Sequence, residues 1–562
     1  MSYVAMPDDL ATGAPEETAP IAPGRVSSGM RWLDVILRGG LPANRVYLVL
    51  GEPGTGKTTL SLQFLLAGAM QGETVLLVTL AETRAELEAV AESHGLDISP
   101  IQVHEVSTSD AGLEAGSDPV DAGEADLPER DFTALHPEEV ELGESLRKIV
   151  DVVRRTKPKR VVVDSLTEIR LLAREPVRYR RQILALKNFF MKCGCTVFFI
   201  DDPSSRGGAE SQLQTICHGV MQLERLAPEY GRERRRMQVL KMRGVQFHGG
   251  YHDYVIRPGG LVIWPRLVAS HHRRQYELVP VPSGVAQIDQ LMGGGPDRGT
   301  TMLALGPAGV GKSSLCQQYC MAAAGRGEYF AWFSFDERLE TIFKRGTSMK
   351  FDLRGLAEAG KCSIEQVDPG SLSPGEFIQR VRRQVEKFDA RVVVIDSLNG
   401  YMNSMPGERF LTIQMHELLT YLNQMGVLTI IVIAQHGLLG AQIDPPIDLS
   451  YLSDSVVVLR YFEAAGHVRR AMAAVKKRGG AHETSVREFQ VTETGLRLGE
   501  PLEQFQGILT GQPELLDREY GRGGGGGGGG GGMPRGGPLM RAGGGPESAP
   551  SPGDDGRASQ SS

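Results

Sequence analysis

Apolar residues in this chain gather into short unbroken runs: YLVLG at 47–51, TVLLVTL at 74–80, RVVVDSL at 160–166 and TVFFIDD at 196–202. Runs of five to seven residues without polar alternation predict strands buried on both faces, as in a parallel sheet covered by helices. Between them, TTLSLQFLLAGAMQ at 58–71 and RRQILALKNFFMKCG at 180–194 carry the period of helices, which would supply the cover.

The pattern then repeats. The segment RVSSGMRWLDVILRGGLPANRVYLVLGEPGTGKTTL at 25–60 lines up with VPSGVAQIDQLMGGGPDRGTTMLALGPAGVGKSSL at 281–315. RVVVDSL is answered by RVVVIDSL at 391–398, and LKMRG at 240–244 by VKKRG at 475–479. A repeat of roughly 240 residues is far longer than a solenoid unit and reads as a duplicated domain. The expected fold is therefore α/β, with two tandem domains of mainly parallel sheet at 24–265 and 278–510. Gly51 and Gly306 stand 255 residues apart, whereas Asp164 and Asp396 stand 232 apart. The first copy thus carries extra chain between its loop and its acidic strand. That extra chain is placed at 110–144, where twelve Asp and Glu face Arg130 alone without helical or strand period; it reads as a solvated surface loop.

Length agrees with this organisation, since 562 residues suit two to four domains. Composition adds the ends. Residues 1–23, rich in Ala, Pro and acids, read as a disordered leader, and 520–562 as a flexible tail that holds 18 of the 70 glycines. No apolar run approaches the ~20 residues of a membrane helix, and the first residues lack the basic and apolar regions of a secretory signal. Six cysteines at unrelated spacings argue for neither a disulfide framework nor a zinc site. The net charge of −7 argues against wholesale binding of nucleic acid. A cytoplasmic location is expected.

The chemistry lies in two loops. Gly51-Glu-Pro-Gly54-Thr55-Gly56-Lys57-Thr58 and Gly306-Pro-Ala-Gly309-Val310-Gly311-Lys312-Ser313 both match G-x-x-x-x-G-K-[ST], each between an apolar strand and a helix. Glycines there let backbone N–H groups converge on phosphate oxygens, and the helix N-terminus favours the negative charge. Thr59 and Ser314 continue each loop into its helix. Lys57 and Lys312 would reach the β- and γ-phosphates, and the Thr58 and Ser313 hydroxyls would ligate Mg²⁺. Asp164 and Asp396 end apolar strands, the position from which a carboxylate orients that Mg²⁺. ATP and Mg²⁺ are the expected cofactors.

Hydrolysis also needs a group that positions water. After the next strand, the second repeat offers Asp336-Glu337 and the first Ala81-Glu82. If the first carboxylate of the pair is the base, the first repeat has lost it; if the second is, Glu82 and Glu337 keep both repeats competent. Near the end of each repeat, Lys241 and Arg243, and Lys476 and Arg478, suit a γ-phosphate sensor, for their own nucleotide or for a neighbouring subunit's. The arginines of 232–236 read as hairpin charge.

Taken in order, RVSSG, the phosphate loop, the carboxylate pair, the strand ending in DSL and K-[MK]-R-G resemble the duplicated RecA-type P-loop ATPases of the KaiC circadian-clock family over about 24–510. That resemblance implies RecA-like P-loop NTPase domains, a double-ring homohexamer with ATP at its subunit interfaces, slow ATP hydrolysis and autokinase activity in the second ring. It also implies that Asp336 and Glu337 are the second ring's catalytic carboxylates, that Glu82 serves the first, and that Lys241, Arg243, Lys476 and Arg478 reach across the interface. Two departures matter. Ala81 replaces a carboxylate, and no Ser or Thr lies between Ala434 and Leu449, where the clock proteins carry a phosphate-accepting pair. The expectation is an ATP-hydrolysing, nucleotide-dependent regulatory oligomer with a protein signalling partner. The alternatives are a serine/threonine kinase using the second repeat, a DNA-dependent motor, and a non-catalytic ATP-binding scaffold.

Overall fold

The computed structural model describes residues 20–106, 137–173, 175–202, 210–227, 233–368, 370, 372–403, 411–435, 453–510 and 513–516. Among these residues the two repeats build two nine-stranded sheets of the same design. In the first, strand order from one edge is Gln102–Glu105, Val75–Thr79, Arg160–Asp164, Thr196–Asp201, Val46–Gly51 and Gly219–Leu226, all parallel. Arg234–Met242, Tyr251–Arg257 and Gly260–Trp264 then continue as an antiparallel meander. In the second, Cys362–Gln366, Tyr329–Ser334, Ala390–Asp396, Leu428–Ala434, Thr301–Gly306 and Ser455–Ala464 are parallel. His467–Lys477, Val486–Thr492 and Gly495–Pro501 complete that sheet antiparallel.

The apolar runs explain the order. Every residue of Val46–Gly51 and of Thr196–Asp201 is buried, so these strands take the centre with side chains packed on both faces. Each buried Val, Leu, Ile or Phe contributes about 1.5–3 kcal/mol, which a strand with one wet face would forgo at every second position. Helix Lys57–Ala69 packs on one face with Leu60, Leu62, Phe64 and Leu65, where Phe64 stacks on Phe198 at 4.0 Å. Helix Pro176–Lys192 packs on the other with Tyr179, Ile183, Leu186 and Phe190. The second repeat copies this with Lys312–Gly325 on one face and Pro374–Phe388 and Leu411–Gln424 on the other.

Three boundaries differ from the sequence reading. Ala22, assigned to the leader, donates its N–H to Gly39 O at 3.0 Å, so the ordered chain begins before Gly24. The last part of the acidic stretch at 110–144 is helical, because Pro137–Thr156 forms one helix. Its apolar residues from Leu142 onward, Ile149, Val152 and Val153 among them, lie in the core, a period hidden by the acids around its start. Past 510, Phe505–Gln506 pairs with Glu514–Leu515. The acidic segment 107–136 and the tail from 517 lie outside the described residues. No described helix is long and apolar enough to cross a membrane.

Candidate functional site

Both phosphate loops sit at the C-terminal edge of a central strand, where parallel strands leave a crevice. Gly54 and Gly56 take φ of 77° and 90°, and Gly309 and Gly311 take 75° and 119°, conformations a side chain strongly disfavours. The glycines just ahead of the helices, Gly56 and Gly311, are the left-handed residues from which Lys57–Ala69 and Lys312–Gly325 start. Gly51 has no room for a side chain, since a Cβ there would lie 2.5 Å from Thr55 Oγ1; at Gly306 it would lie 2.4 Å from Leu459 O. Thr55 itself bonds Glu52 O at 2.7 Å, bracing the loop. Val310, Thr59 and Ser314 are buried.

The lysines curl back over these loops. Lys57 Nζ donates to Gly51 O at 2.5 Å and Glu52 O at 3.1 Å, and Lys312 Nζ to Gly306 O and Pro307 O, both at 2.7 Å. Burial pushes both ammonium groups below their ordinary pKa. Around Lys57 the carboxylates of Asp202, Asp164, Asp201 and Glu82 oppose that shift, and around Lys312 Asp396 does.

Asp164 and Asp396 end the strands one removed from the phosphate-loop strands. Thr58 Oγ1 donates to Asp164 Oδ2 at 3.3 Å. Burial pushes each carboxyl up to about 6; Glu82 adds to this at Asp164, while Ser313's hydroxyl pulls Asp396 down. Asp396 Oδ2 is buried with no hydrogen-bond partner. A Thr or Ser hydroxyl beside a carboxylate, with a buried carboxylate oxygen left over, is a hard-oxygen donor set that fits Mg²⁺.

The third component differs between repeats. Glu82 and Glu337 follow strands whose last residues, Thr79 and Ser334, fix the turn alike. Thr79 Oγ1 bonds Glu82 O and Glu82 N at 2.7 and 3.0 Å, and Ser334 Oγ bonds Glu337 O and Glu337 N at 2.8 and 3.2 Å. In the second repeat Asp336 accepts from Ser397 Oγ, and Glu337 pairs with Arg345. In the first, Ala81 leaves no carboxylate for Ser165. Glu82 Oε2 is buried without a hydrogen-bond partner, and burial together with Glu86 raises its pKa. Sequence reading missed Ser397, although both repeats keep Ser after the strand-end Asp. It also missed Arg345, which had no signal because Val90 holds the matching helix position.

The four sequence-selected cations lie elsewhere. Met242 is registered with Gly219, and Gly219 with Tyr47, four residues before Gly51. Lys241 and Arg243 therefore sit at the N-terminal edge of the sheet, about 10–17 Å along the strands from their own phosphate loop. Lys241 Nζ bonds Gln214 O at 2.5 Å and Cys217 O at 2.9 Å, and Arg243 bonds Thr215 O at 2.7 Å. Likewise Lys476 bonds Ser453 O at 2.8 Å and Arg478 lies 3.6 Å from Asp454, where Ser455 is registered with Met302. The hairpin arginines divide: Arg236 pairs with Glu224, whereas Arg235 and Arg225 turn onto the first phosphate loop. Arg235 reaches Gly54 O at 3.5 Å, and a Cβ on Gly54 would lie 3.1 Å from Arg225 Nη1.

Known proteins share the sequence of both repeats. The model of the KaiC ATPase family matches residues 26–268 and again 281–503. Circadian clock protein KaiC3 of Synechocystis is 25% identical over 499 residues, 87% of this chain and 94% of that protein. The circadian clock oscillator protein KaiC of Synechococcus elongatus is 26% identical over 494 residues, 85% of this chain and 90% of that protein. The KaiC of Thermostichus vulcanus is 26% identical over 514 residues, 89% and 94% of the two chains. With both repeats matched over nearly their whole length, the chain belongs to the KaiC ATPase family.

Proposed function

We propose that this protein is an ATP-hydrolysing regulatory oligomer with two unequal nucleotide sites per chain, the second the stronger hydrolase. The observation that carries this reading is the shared convergence of lysine, hydroxyl, strand-end aspartate and glutamate, complete in the second repeat and short of one carboxylate in the first. Lys57 and Lys312 bind the phosphate tail, with the loop N–H groups set by the glycines. Thr58 with Asp164, and Ser313 with Asp396, would hold Mg²⁺, which would shield charge between the phosphates. Glu337 orients water and accepts its proton, kept in place by Arg345, while Asp336 and Ser397 fix the adjoining edge. Glu82 fills the same role in the first repeat without those supports.

Lys241, Arg243, Lys476 and Arg478 cannot serve their own loops from the opposite end of the sheet, which favours use against a neighbouring chain and so a ring, in this reading a homohexamer. A second reading, phosphoryl transfer to a protein hydroxyl, draws support from Asp336. A carboxylate already hydrogen-bonded to a serine hydroxyl is equipped to accept an alcohol proton. The Ser- and Thr-free stretch of the sequence falls mostly within 436–452, outside the described residues.

Incubation with γ-labelled ATP, followed by separate measurement of free phosphate and protein-bound label, tests both readings. Free phosphate that falls with Glu337→Gln supports the ATPase, and label on protein lost with Asp336→Ala supports the kinase. Neither product would leave an ATP-binding scaffold. Light scattering with and without ATP, in Lys241→Ala/Arg243→Ala and Lys476→Ala/Arg478→Ala chains, tests the ring.

A further inference from the structure

Strand Tyr251–Arg257 lies where the two repeats meet, and its two faces hold different partners. On one face Tyr254 donates its hydroxyl to Thr55 O at 2.5 Å, and Ile256 Cδ1 stands 2.6 Å from where a Cβ on Gly56 would be. Both contacts are with the first phosphate loop. On the other face Asp253 accepts the Gly375 N–H at 2.7 Å, and Arg257 meets Glu376 at 2.8 Å. Gly375 and Glu376 form the first turn of helix Pro374–Phe388 in the second repeat. Alternation of side chains across a strand means that displacement of Tyr254 moves its neighbours Asp253 and Val255 with it.

The contacts continue inward. Phe377, the next residue of that helix, has its ring 5.3 Å from Phe335 and 5.3 Å from Tyr401. Phe335 precedes Asp336. Tyr401 follows Gly400, where a Cβ would lie 2.6 Å from Asp336 Oδ1. Asp336's other oxygen takes the Ser397 hydroxyl. Glu376, only 3% exposed, is shared between Arg257 of the first repeat and Arg380 of its own helix, so it keeps a cation when Arg257 withdraws. The matching strand of the second repeat has Phe489 where Tyr254 stands, with no hydroxyl to bond a loop carbonyl.

We propose that Asp253 and Arg257 are positioning residues for the second repeat's chemistry. Phosphate seated in the first loop shifts Tyr254 and Ile256, and the Asp253–Gly375 and Arg257–Glu376 contacts pass that shift through Phe377 to the Asp336–Ser397 pair. This rests on the reading that the first loop binds ATP. Coupling of this kind is reciprocal for binding, so occupancy of the second site feeds back along the same contacts.

The test uses the full chain with Lys312→Ala, so that only the first loop loads, and follows amide hydrogen exchange with and without ATPγS. Loading is expected to protect 51–58 and to change exchange at 333–336 and 375–381 by about fivefold or more. Adding Asp253→Ala with Arg257→Ala should leave the protection at 51–58 and abolish the response at 333–336 and 375–381, while Arg257→Lys should retain it. A response that survives Asp253→Ala/Arg257→Ala, or an unresponsive helix beside a protected loop, overturns the proposal. An unprotected loop overturns the ATP reading itself and the proposal with it, a separate signature.

Discussion

The two repeats share a sheet, a phosphate loop and a glutamate, but they surround that glutamate differently. In the second, Glu337 is tied to Arg345 and its neighbour Asp336 to Ser397. In the first, Glu82 has one buried oxygen without a hydrogen-bond partner and its neighbour is Ala81. On the proposed reading, the two repeats keep alike the parts that would hold phosphate and differ in the parts that would activate water. Binding tolerates a loose glutamate; proton abstraction from a fixed water does not.

The largest expected break in this comparison is Glu337→Gln, which should lower phosphate release by about 100-fold in a chain whose first loop carries Lys57→Ala. Glu82→Gln in the Lys312→Ala chain should remove much less activity, because less is there. Equal losses would mean that the repeats hydrolyse alike. Next, Ala81→Asp should give Ser165 the acceptor that Ser397 has and raise first-repeat turnover by about tenfold, measured in the same Lys312→Ala chain. No gain would place the deficit elsewhere than at position 81.

A smaller effect is expected from Arg345→Val, which copies Val90. It removes the cation that holds Glu337 in place, so phosphate release by the second repeat, measured in the Lys57→Ala chain, should fall by about threefold. The last prediction uses matching positions in the outer strands. In the first repeat, His252 accepts the Arg266 N–H on Nδ1 at 2.9 Å, with Nε2 3.0 Å from His248 O, and burial pushes its pKa down to about 4. The matching second-repeat position is Arg487, paired with Glu483 at 2.8 Å. A histidine with folded pKa near 4 and unfolded pKa near 6.5 adds stability above pH 6.5 that is lost as pH falls toward 4, on the order of 3 kcal/mol. The first repeat should therefore loosen first on acidification, seen by hydrogen exchange, and His252→Gln should flatten that response.

Much of this was legible in the sequence. The strands, both phosphate loops and both strand-end aspartates rest on local signals, unbroken apolar runs and glycine spacing, and these also made the duplication visible. Long-range contacts left no such trace. Tyr254 bonds Thr55 across 199 residues, and Asp253 bonds Gly375 across 122. Neither pairing has a period or a motif, because register across a sheet edge and packing between repeats decide them. The helix from Pro137 was hidden for a different reason: acids at its start masked an apolar face that begins at Leu142.

One consequence follows from where Lys241, Arg243, Lys476 and Arg478 stand, at the far end of each sheet from the loop they would serve. On the proposed reading, in which they serve a neighbouring chain's loop, a lone chain holds only part of each reaction centre, and turnover becomes a property of encounters between chains. Specific activity should fall steeply on dilution, at concentrations where every chain remains folded and every phosphate loop remains intact.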